Sequence, residues 1–447
     1  MSRMHISIAA LSLSLPLSAC SPAGPPGGAL PRLSAEDMDP ALGYEAPPTL
    51  RASDMLPPEV VASRHHRVRE EVATDGFFRI YVIDSDFGRF EAAGDIQLRQ
   101  RVQQIRALAV LDELQDVKAY SAAQSAAAEV PVVARWHLVE EPVDTLEGVP
   151  PEAWQEVLRC ADMHPDERSL EESVLRRAVL EFEEQKRRLA RRLAVNPYSL
   201  NRSLQRELNR TGWTVSAGGY ALEEVPSLAE SSIAPLAEDV LPSERVDRVF
   251  ANDSPEDLRR RNRIELAVLG IPHEEVEAFL AHPAYSPLRQ TGIVEALIGL
   301  EPARNRGSYV RVAMRAESPR DAFFRMMGSL ILRFYHVNVA PIERLLVLNG
   351  RSPAAYTSEG KLIIAAQVDY LLWSRPVDDF VRSLAAAEVP GAQIRARELW
   401  LSGQASPKAR REIELRGITL VERVFESMVP RLAAEPTSLG PAMEKAR

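Results

Sequence analysis

The stretch ELWLSGQASPKARREIELRGITLVERV, residues 398–424, decides the fold class. Its first five residues predict a strand, because a short apolar run that ends in turn residues is typical of a buried strand. Ser406-Pro407 then predicts a helix, with serine as the N-cap and proline at the first helical position. After Gly417, the run Ile418–Val424 predicts a second strand. A strand, a helix and a strand in this order favour a parallel βαβ unit.

The segments before this unit predict two more strands and an all-helical region. Arg344–Leu348 and Lys361–Ala366 have the apolar, short-run pattern of strands, so we expect them to join a small α/β module over residues 341–430. Residues 254–340 predict several helices, and the first of them begins at Ser254-Pro255 with acids in its first turn.

The N-terminal half predicts one β-hairpin followed by helices. Apolar and polar residues alternate over Phe77–Gly94 around a turn rich in aspartate and glycine, which indicates a hairpin. Helical spacing of apolar residues then continues from Asp95 to about Leu114. A further helix is predicted over Asp166–Ala194, because acidic residues at its start and basic residues at its end complement the helix dipole.

Residues Leu17-Ser18-Ala19-Cys20 follow a short apolar run that begins at Ile6, with Arg3 before it. This pattern resembles the signal peptides of bacterial lipoproteins, and the run is shorter than the roughly 20 residues that span a bilayer. The resemblance implies that a signal peptidase recognises Leu17, Ser18 and Ala19, and that Cys20 is the acylated first residue of the mature protein. Serine rather than aspartate after Cys20 favours the outer membrane, facing the periplasm.

We therefore expect an α+β fold that is predominantly α-helical, with an N-terminal β-hairpin and a small C-terminal α/β module. The expected divisions are a signal peptide (1–19), a disordered tether rich in Pro, Gly and Ala (20–58), a hairpin plus helical domain (59–225), a linker (226–253), the all-helical unit (254–340), the α/β module (341–430) and a tail (431–447).

Composition limits the classes of function. The chain has 447 residues, of which 45% are hydrophobic, and a net charge of −9. An acidic chain is a poor candidate for sequence-independent nucleic-acid binding, which needs Lys and Arg to neutralise phosphates. The second of its two cysteines, Cys160, has no internal disulfide partner if Cys20 is acylated. The expected partners are the membrane, through the lipid, and an envelope protein.

No common catalytic, metal-binding or phosphate-binding motif is present, so the sequence predicts no catalytic residue, metal ligand or cofactor. The densest cluster of titratable residues is His65, His66 and Glu70, to which Asp84 and Asp86 of the predicted hairpin turn can be added. On a helix, His66 and Glu70 would lie four residues apart and share a metal ion or a proton. The alternative is a solvated surface whose charges pair with one another.

Residues 85–92, 368–373 and 398–403 resemble stretches of uncharacterised bacterial envelope proteins, and this resemblance implies no particular activity. Because the lipoprotein pattern stands beside no catalytic motif, we expect a binding or scaffold protein of the cell envelope rather than an enzyme. The alternative is a hydrolase that acts on wall or lipid substrates, with Asp84, Asp86, His65 or His66 converging in a cleft.

Overall fold

The computed structural model describes residues 34, 36–128, 182–199, 201–228, 255–348 and 352–432. The signal peptide (1–19) with Cys20, the first part of the helix expected over Asp166–Ala194, and the end of the tail lie outside the described residues. Most of the expected linker over 226–253 lies outside them as well.

Helical residues outnumber strand residues in the described part of the chain. The helices are α1 (Ala52–Met55), α2 (Pro58–Val61), α3 (Asp95–Glu113), α4 (Lys118–Ala128), α5 (182–192), α6 (Arg202–Ser216), α7 (Pro255–Val268), α8 (His273–Leu280), α9 (Pro287–Ile298), α10 (Gly307–Ala313), α11 (Pro319–Asn338), α12 (Arg375–Ala385), α13 (Pro407–Leu415) and α14 (Val424–Leu432). The strands are β1 (Leu50–Arg51), β2 (His66–Val68), β3 (Glu71–Thr74), β4 (Arg79–Ser85), β5 (Gly88–Ala93), β6 (Ile342–Leu348), β7 (Ser352–Thr357), β8 (Lys361–Ala366), β9 (Tyr370–Leu371), β10 (Ala396–Leu401), β11 (Gln404–Ala405) and β12 (Ile418–Val421).

The expected N-terminal hairpin is part of a larger sheet. Strands β4 and β5 pair antiparallel around Asp86-Phe87, but β2 and β3 also pair with β4, and β1 pairs with β3. The sheet therefore has five strands, and the expectation of a hairpin alone was wrong. Strands of two to four residues are too short to show a period of two, so the sequence pattern did not reveal β1, β2 and β3. Helix α3 packs its apolar side on this sheet through Leu98, Val102 and Ile105.

The C-terminal sheet is mixed, in the order β12-β10-β8-β7-β6. Strands β8, β10 and β12 run parallel, and the βαβ unit expected over residues 398–424 is present. Helices α12 and α13 cover one face, where Val381 and Ile413 contact Leu362 and Leu399. Because parallel strands need apolar cover on both faces, a second layer of helices is required on the other face.

That second layer is the helical region itself. Tyr335 of α11 contacts Trp400 of β10 edge to face, with 5.0 Å between ring centroids, and Ile363 of β8 belongs to the same apolar cluster as Phe279 and Val310. The expected units 254–340 and 341–430 thus share one core, and the expectation of a small separate C-terminal module was wrong. The sequence pattern defined the elements but not which helices cover which face of the sheet.

The two sheets meet at the turn between β3 and β4. The backbone carbonyl of Phe77 accepts hydrogen bonds from the amides of Asp369 and Tyr370, at 2.9 and 3.2 Å. The ring of Phe78 stacks on Phe324 of α11 at 4.4 Å between centroids. This turn therefore occupies the edge where the parallel strands of the C-terminal sheet end.

Part of the expected tether over 20–58 is ordered. Residues 36–51, which we call the strap, cross the C-terminal sheet region and then enter the N-terminal sheet as β1. In the strap, the amide of Glu45 donates to the carbonyl of Trp373 at 2.8 Å. Proline and low hydrophobicity suggested disorder, but hydrogen bonds to a distant part of the chain fix this segment. None of the described helices has the length and apolar character that crossing a membrane requires.

Candidate functional site

The histidines expected to be functional have separate local partners. His66 lies on β2 rather than on a helix and is buried, with Nδ1 2.7 Å from Ser63 Oγ and Nε2 3.0 Å from the carbonyl of Val60. Burial lowers the pKa of His66, so the neutral ring is favoured. His65 Nδ1 lies 2.9 Å from Oδ2 of Asp86, which is in the turn between β4 and β5.

The remaining residues of the expected cluster also form surface pairs. Glu70 follows β2 and accepts hydrogen bonds from Arg51 and Ser53 of a different segment. Asp84 accepts hydrogen bonds from Arg69 and Arg89, which lower its pKa to about 2. His65, His66, Glu70, Asp84 and Asp86 therefore do not converge in a cleft.

The structure describes the residues considered for a metal site but not the residues of the expected lipidation site. Across the residues that the structure describes, no group of three or more His, Cys, Asp or Glu side chains is placed to hold a metal ion. The signal-peptidase residues Leu17, Ser18 and Ala19 and the lipidation residue Cys20 lie outside the described part, so they stay predictions.

The structure forms a different site, a cleft of about 250 Å³ between the N-terminal domain and the helical region. We call it the arginine cleft. Its lining residues are Gln97, Gln100, Arg101, Gln104, Asn196, Tyr198, Ser199, Ser286, Leu288, Arg289, Pro319, Arg320, Phe323 and Met326. Clefts between packed domains are common locations of small-molecule sites.

One wall of the arginine cleft is a face of α3. Gln97, Gln100, Arg101 and Gln104 recur at intervals of three and four residues, which places them on one side of a helix. Leu98, Val102 and Ile105 of α3 pack on the N-terminal sheet, and Leu108 and Leu111 pack with α4 and α6. The polar row is the part of α3 that these packed sides leave facing the cleft.

The starts of two long helices form the opposite wall. Ser286 caps α9, and its Oγ accepts a hydrogen bond from the amide of Arg289 at 3.4 Å. Ser318 caps α11, and its Oγ accepts from the amide of Asp321 at 3.2 Å. A helix N-terminus carries a positive partial charge, so the start of α9 favours a negative group nearby, whereas α11 already has Asp321 in its first turn.

The three arginines of the cleft differ in their partners. Arg320 donates to Asp75 at 2.7 Å and lies 4.9 Å from the centroid of the Phe78 ring. Arg289 donates to the carbonyl of Pro319 at 2.6 Å, and its guanidinium lies 5.7 Å from the centroid of the Phe323 ring. Both side chains are therefore engaged by the protein.

Arg101 has no charged partner. Its NH1 donates to Gln104 Oε1 at 2.8 Å, and among the described residues no carboxylate lies within ion-pair distance of it. Burial lowers the pKa of Arg101, and no neighbouring acid opposes this shift. None of the described lining residues is Asp or Glu. The cleft consequently contains a partly buried cation that no described carboxylate neutralises.

Gln104 positions this arginine. Its Oε1 accepts from Arg101 and, at 3.1 Å, from Asn201 Nδ2, while its Nε2 donates to Ser199 Oγ at 3.0 Å. The amide of Gln104 thus connects α3 to the segment before α6 and holds the guanidinium at the cleft.

Sequence reasoning missed this site. The only signal was a row of Gln and Arg without acids on α3, and such a row is usually a solvated helix face. The other walls come from residues 196–199, 286–289 and 319–326, which only the tertiary fold brings to α3.

The chain matches no protein-family model, no curated protein and no solved structure in the comparisons made with it.

Proposed function

We propose that this protein is a lipid-anchored binding protein of the outer membrane, facing the periplasm, and that the arginine cleft holds a small anionic ligand. The observation that carries the proposal is the guanidinium of Arg101, which is partly buried and lacks a carboxylate partner among the described residues. Removing a charge from water without a counterion costs free energy, and an anionic ligand would offset that cost.

Two further features support an anion rather than a cation or a neutral sugar. The cleft combines the unneutralised Arg101 with the start of α9, and none of its described lining residues is acidic. This positive site is found in a chain of net charge −9, so it is opposite in sign to the protein as a whole. Local charge at short range dominates over distant surface charge, which salt screens over about 8–10 Å.

Binding is favoured over catalysis by the chemistry of the lining. The described lining residues include no Asp, Glu, His or Cys that would transfer a proton or attack a substrate. The alternative hydrolase would need aspartates or histidines of the expected cluster to converge in a cleft. Instead, His65 pairs with the exposed Asp86, while His66 and Asp84 are engaged by Ser63 and Arg69. No observation favours that alternative.

The binding proposal is tested by calorimetry on the purified full chain at about 0.15 M ionic strength, with acetate, benzoate and inorganic phosphate as separate ligands. We expect at least one anion to bind, and Arg101→Gln to weaken that binding roughly 10- to 100-fold, because a charge-assisted hydrogen bond contributes about 1.5–3 kcal/mol. Arg99→Gln is the matched control, since Arg99 is on the same helix but does not line the cleft. Absence of binding, or equal binding by Arg101→Gln, contradicts the proposal.

The lipid anchor is a separate part of the proposal, supported by the lipoprotein-like Leu17-Ser18-Ala19-Cys20. We expect radiolabelled palmitate to enter the protein when it is expressed in a bacterium, and Cys20→Ala to abolish this labelling. Cys160→Ala is the matched control because Cys160 is the only other cysteine. Persistent labelling of Cys20→Ala would contradict the anchor.

A further inference from the structure

The arginine cleft has two chemically different walls. Helix α3 contributes amide and guanidinium groups, whereas α9 and α11 contribute Leu288, Phe323 and Met326 together with the ring of Pro319. The side chains of Phe323 and Met326 belong to the apolar core of the helical region. A ligand that fills the cleft would therefore contact polar groups on one side and apolar groups on the other.

The partners of the three cleft arginines indicate that a ligand in the cleft carries a single negative charge. Arg320 is already paired with Asp75, and Arg289 is engaged with the carbonyl of Pro319 and the ring of Phe323. Of these three arginines, Arg101 alone has no such compensation from the described residues. A dianion such as hydrogen phosphate, the main form of inorganic phosphate at about pH 8, would bring a second charge for which the described residues of this partly desolvated cleft offer no partner.

The volume of the cleft limits the size of the ligand. About 250 Å³ is slightly below the roughly 300–1,000 Å³ of pockets that hold drug-sized molecules. A complete lipid or a nucleotide is too large, while a carboxylic acid with a ring or a short alkyl chain is of suitable size.

We infer that the ligand is a small organic monoanion, a carboxylic acid with an apolar body, whose carboxylate pairs with Arg101 and whose body contacts Leu288, Phe323 and Met326. This inference rests on the proposed function and adds the class of ligand. A planar carboxylate also matches the fork of donors on a guanidinium, which allows two parallel hydrogen bonds.

The inference is tested by comparing four anions on the unmodified full chain by calorimetry at about pH 8, where inorganic phosphate is mainly a dianion: hexanoate, benzoate, acetate and inorganic phosphate. We expect hexanoate or benzoate to bind at least tenfold more tightly than acetate, because each buried methylene adds a favourable contribution. Phosphate is expected to bind more weakly than either organic acid.

The outcomes separate this inference from the proposed function. If acetate or phosphate binds as tightly as hexanoate and benzoate, the apolar body is unnecessary and the inference is wrong, while anion binding stands. If none of the four binds, both are contradicted. Met326→Gln, checked for unchanged thermal unfolding, should reduce the preference for hexanoate over acetate, and Met326→Leu should retain it. An equal preference in Met326→Gln would also count against the apolar contact.

Discussion

The carboxylate of Asp369 is buried where the N-terminal and C-terminal sheets meet. Its Oδ2 accepts backbone hydrogen bonds from Arg79 at 3.1 Å and from Asp95 at 3.2 Å. Asp95 is the first residue of α3, and Gly94 before it has no side chain to cap the helix. Asp369 therefore caps α3 from a different part of the chain. A side chain at Gly94 would place a Cβ 3.3 Å from Asp369 Oδ2, so the close approach requires glycine, as does φ of +101°.

The environment of Asp369 disfavours its charge. Burial raises the pKa of Asp369 to about 8, the nearby carboxylate of Asp95 contributes in the same direction, and Arg79 and the two backbone donors oppose the shift only in part. Asp95 itself is held by Arg79 at 2.7 Å and by the hydroxyl of Tyr81 at 2.5 Å. The protonated form of Asp369 is thus more favourable in the folded protein than in the unfolded chain.

Replacing Asp369 by Asn should change how stability depends on pH. An aspartate in the unfolded chain has a pKa of about 3.9. Between about pH 4 and 8, the folded protein therefore keeps a proton on Asp369 that the unfolded chain has lost. The free energy of unfolding consequently falls as the pH rises through this window. We expect the free energy of unfolding of the natural protein to fall relative to Asp369→Asn by at most about 1.4 kcal/mol per pH unit in that range. Urea unfolding at pH 5, 6.5 and 8 measures this.

Asp84→Asn is the control for that experiment. The pKa of Asp84 is lowered to about 2, so this carboxylate is ionised in both the folded and the unfolded state above pH 5. Its substitution should shift stability by the same amount at all three pH values. If Asp369→Asn also gave a constant shift, the buried carboxylate would not titrate in this window.

Helix α3 shows how far the sequence predicts an element and its role. The spacing of apolar residues predicted a helix from Asp95 to about Leu114, and the structure has it over Asp95–Glu113. The same spacing predicts the side that packs on a sheet. It does not predict that Arg101 faces α9 and α11, because nearly 200 residues of chain separate them.

The strands follow a similar rule. β8, β10 and β12 were predictable because buried parallel strands are apolar runs bounded by turn residues. β7 was missed because Pro353 and two alanines give it low strand propensity, and its pairing with β6 and β8 forms it instead. The local sequence pattern therefore predicted most of the elements that bury apolar side chains. Which strands pair, and which helices cover each face of a sheet, depended on contacts between distant parts of the chain.

Gln104→Glu tests α3 as the wall that presents Arg101. Glutamate has the same shape, and it would place a carboxylate oxygen where Gln104 Oε1 now accepts from Arg101 at 2.8 Å. We expect anion affinity to fall roughly tenfold or more, because the protein would then neutralise Arg101 itself, while thermal stability is retained or rises. Calorimetry with benzoate and thermal unfolding measure the two effects.

Gln115→Glu is the matched control for that substitution. It adds the same charge beyond the other end of α3, where Gln115 Nε2 donates only to the carbonyl of Leu111. Its effect on anion affinity should be small, because salt screens distant exposed charges. Equal losses in both variants would show that net charge, rather than neutralisation of Arg101, controls binding.

At the scale of the whole molecule, several contacts among the described residues hold the N-terminal sheet on the rest of the protein, in addition to the hydrogen bonds of the Phe77 carbonyl. They are the cap that Asp369 provides, the stacked rings of Phe78 and Phe324, and the strap. Because α3 forms one wall of the arginine cleft and residues 286–289 and 319–326 form another, this junction also determines the width of the cleft. Stability of the junction and ligand binding are therefore expected to change together.

Glu45 is the main polar attachment of the strap. Its Oε2 accepts from the amide of Trp373 at 2.6 Å and from Ser406 Oγ at 2.5 Å, next to the start of α13. Hydrogen bonds to a charged acceptor contribute about 1.5–3 kcal/mol each, and the start of α13 adds a favourable dipole. By contrast, Glu36 in the same strap makes only a long ion pair of 3.8 Å with Arg375 and is largely exposed. Such exposed pairs contribute about 0–1 kcal/mol.

Glu45→Ala should therefore release the strap, whereas Glu36→Ala should not. We expect limited proteolysis within residues 36–51 to be at least tenfold faster in Glu45→Ala than in the natural protein, with mass spectrometry locating the cuts. Glu36→Ala should be cleaved at the natural rate. If Glu45→Ala were cleaved no faster, the apolar contacts of Tyr44 and the pairing of β1 with β3 would be sufficient to hold the strap. Faster cleavage of Glu45→Ala would show that the two hydrogen bonds of Glu45 hold the strap.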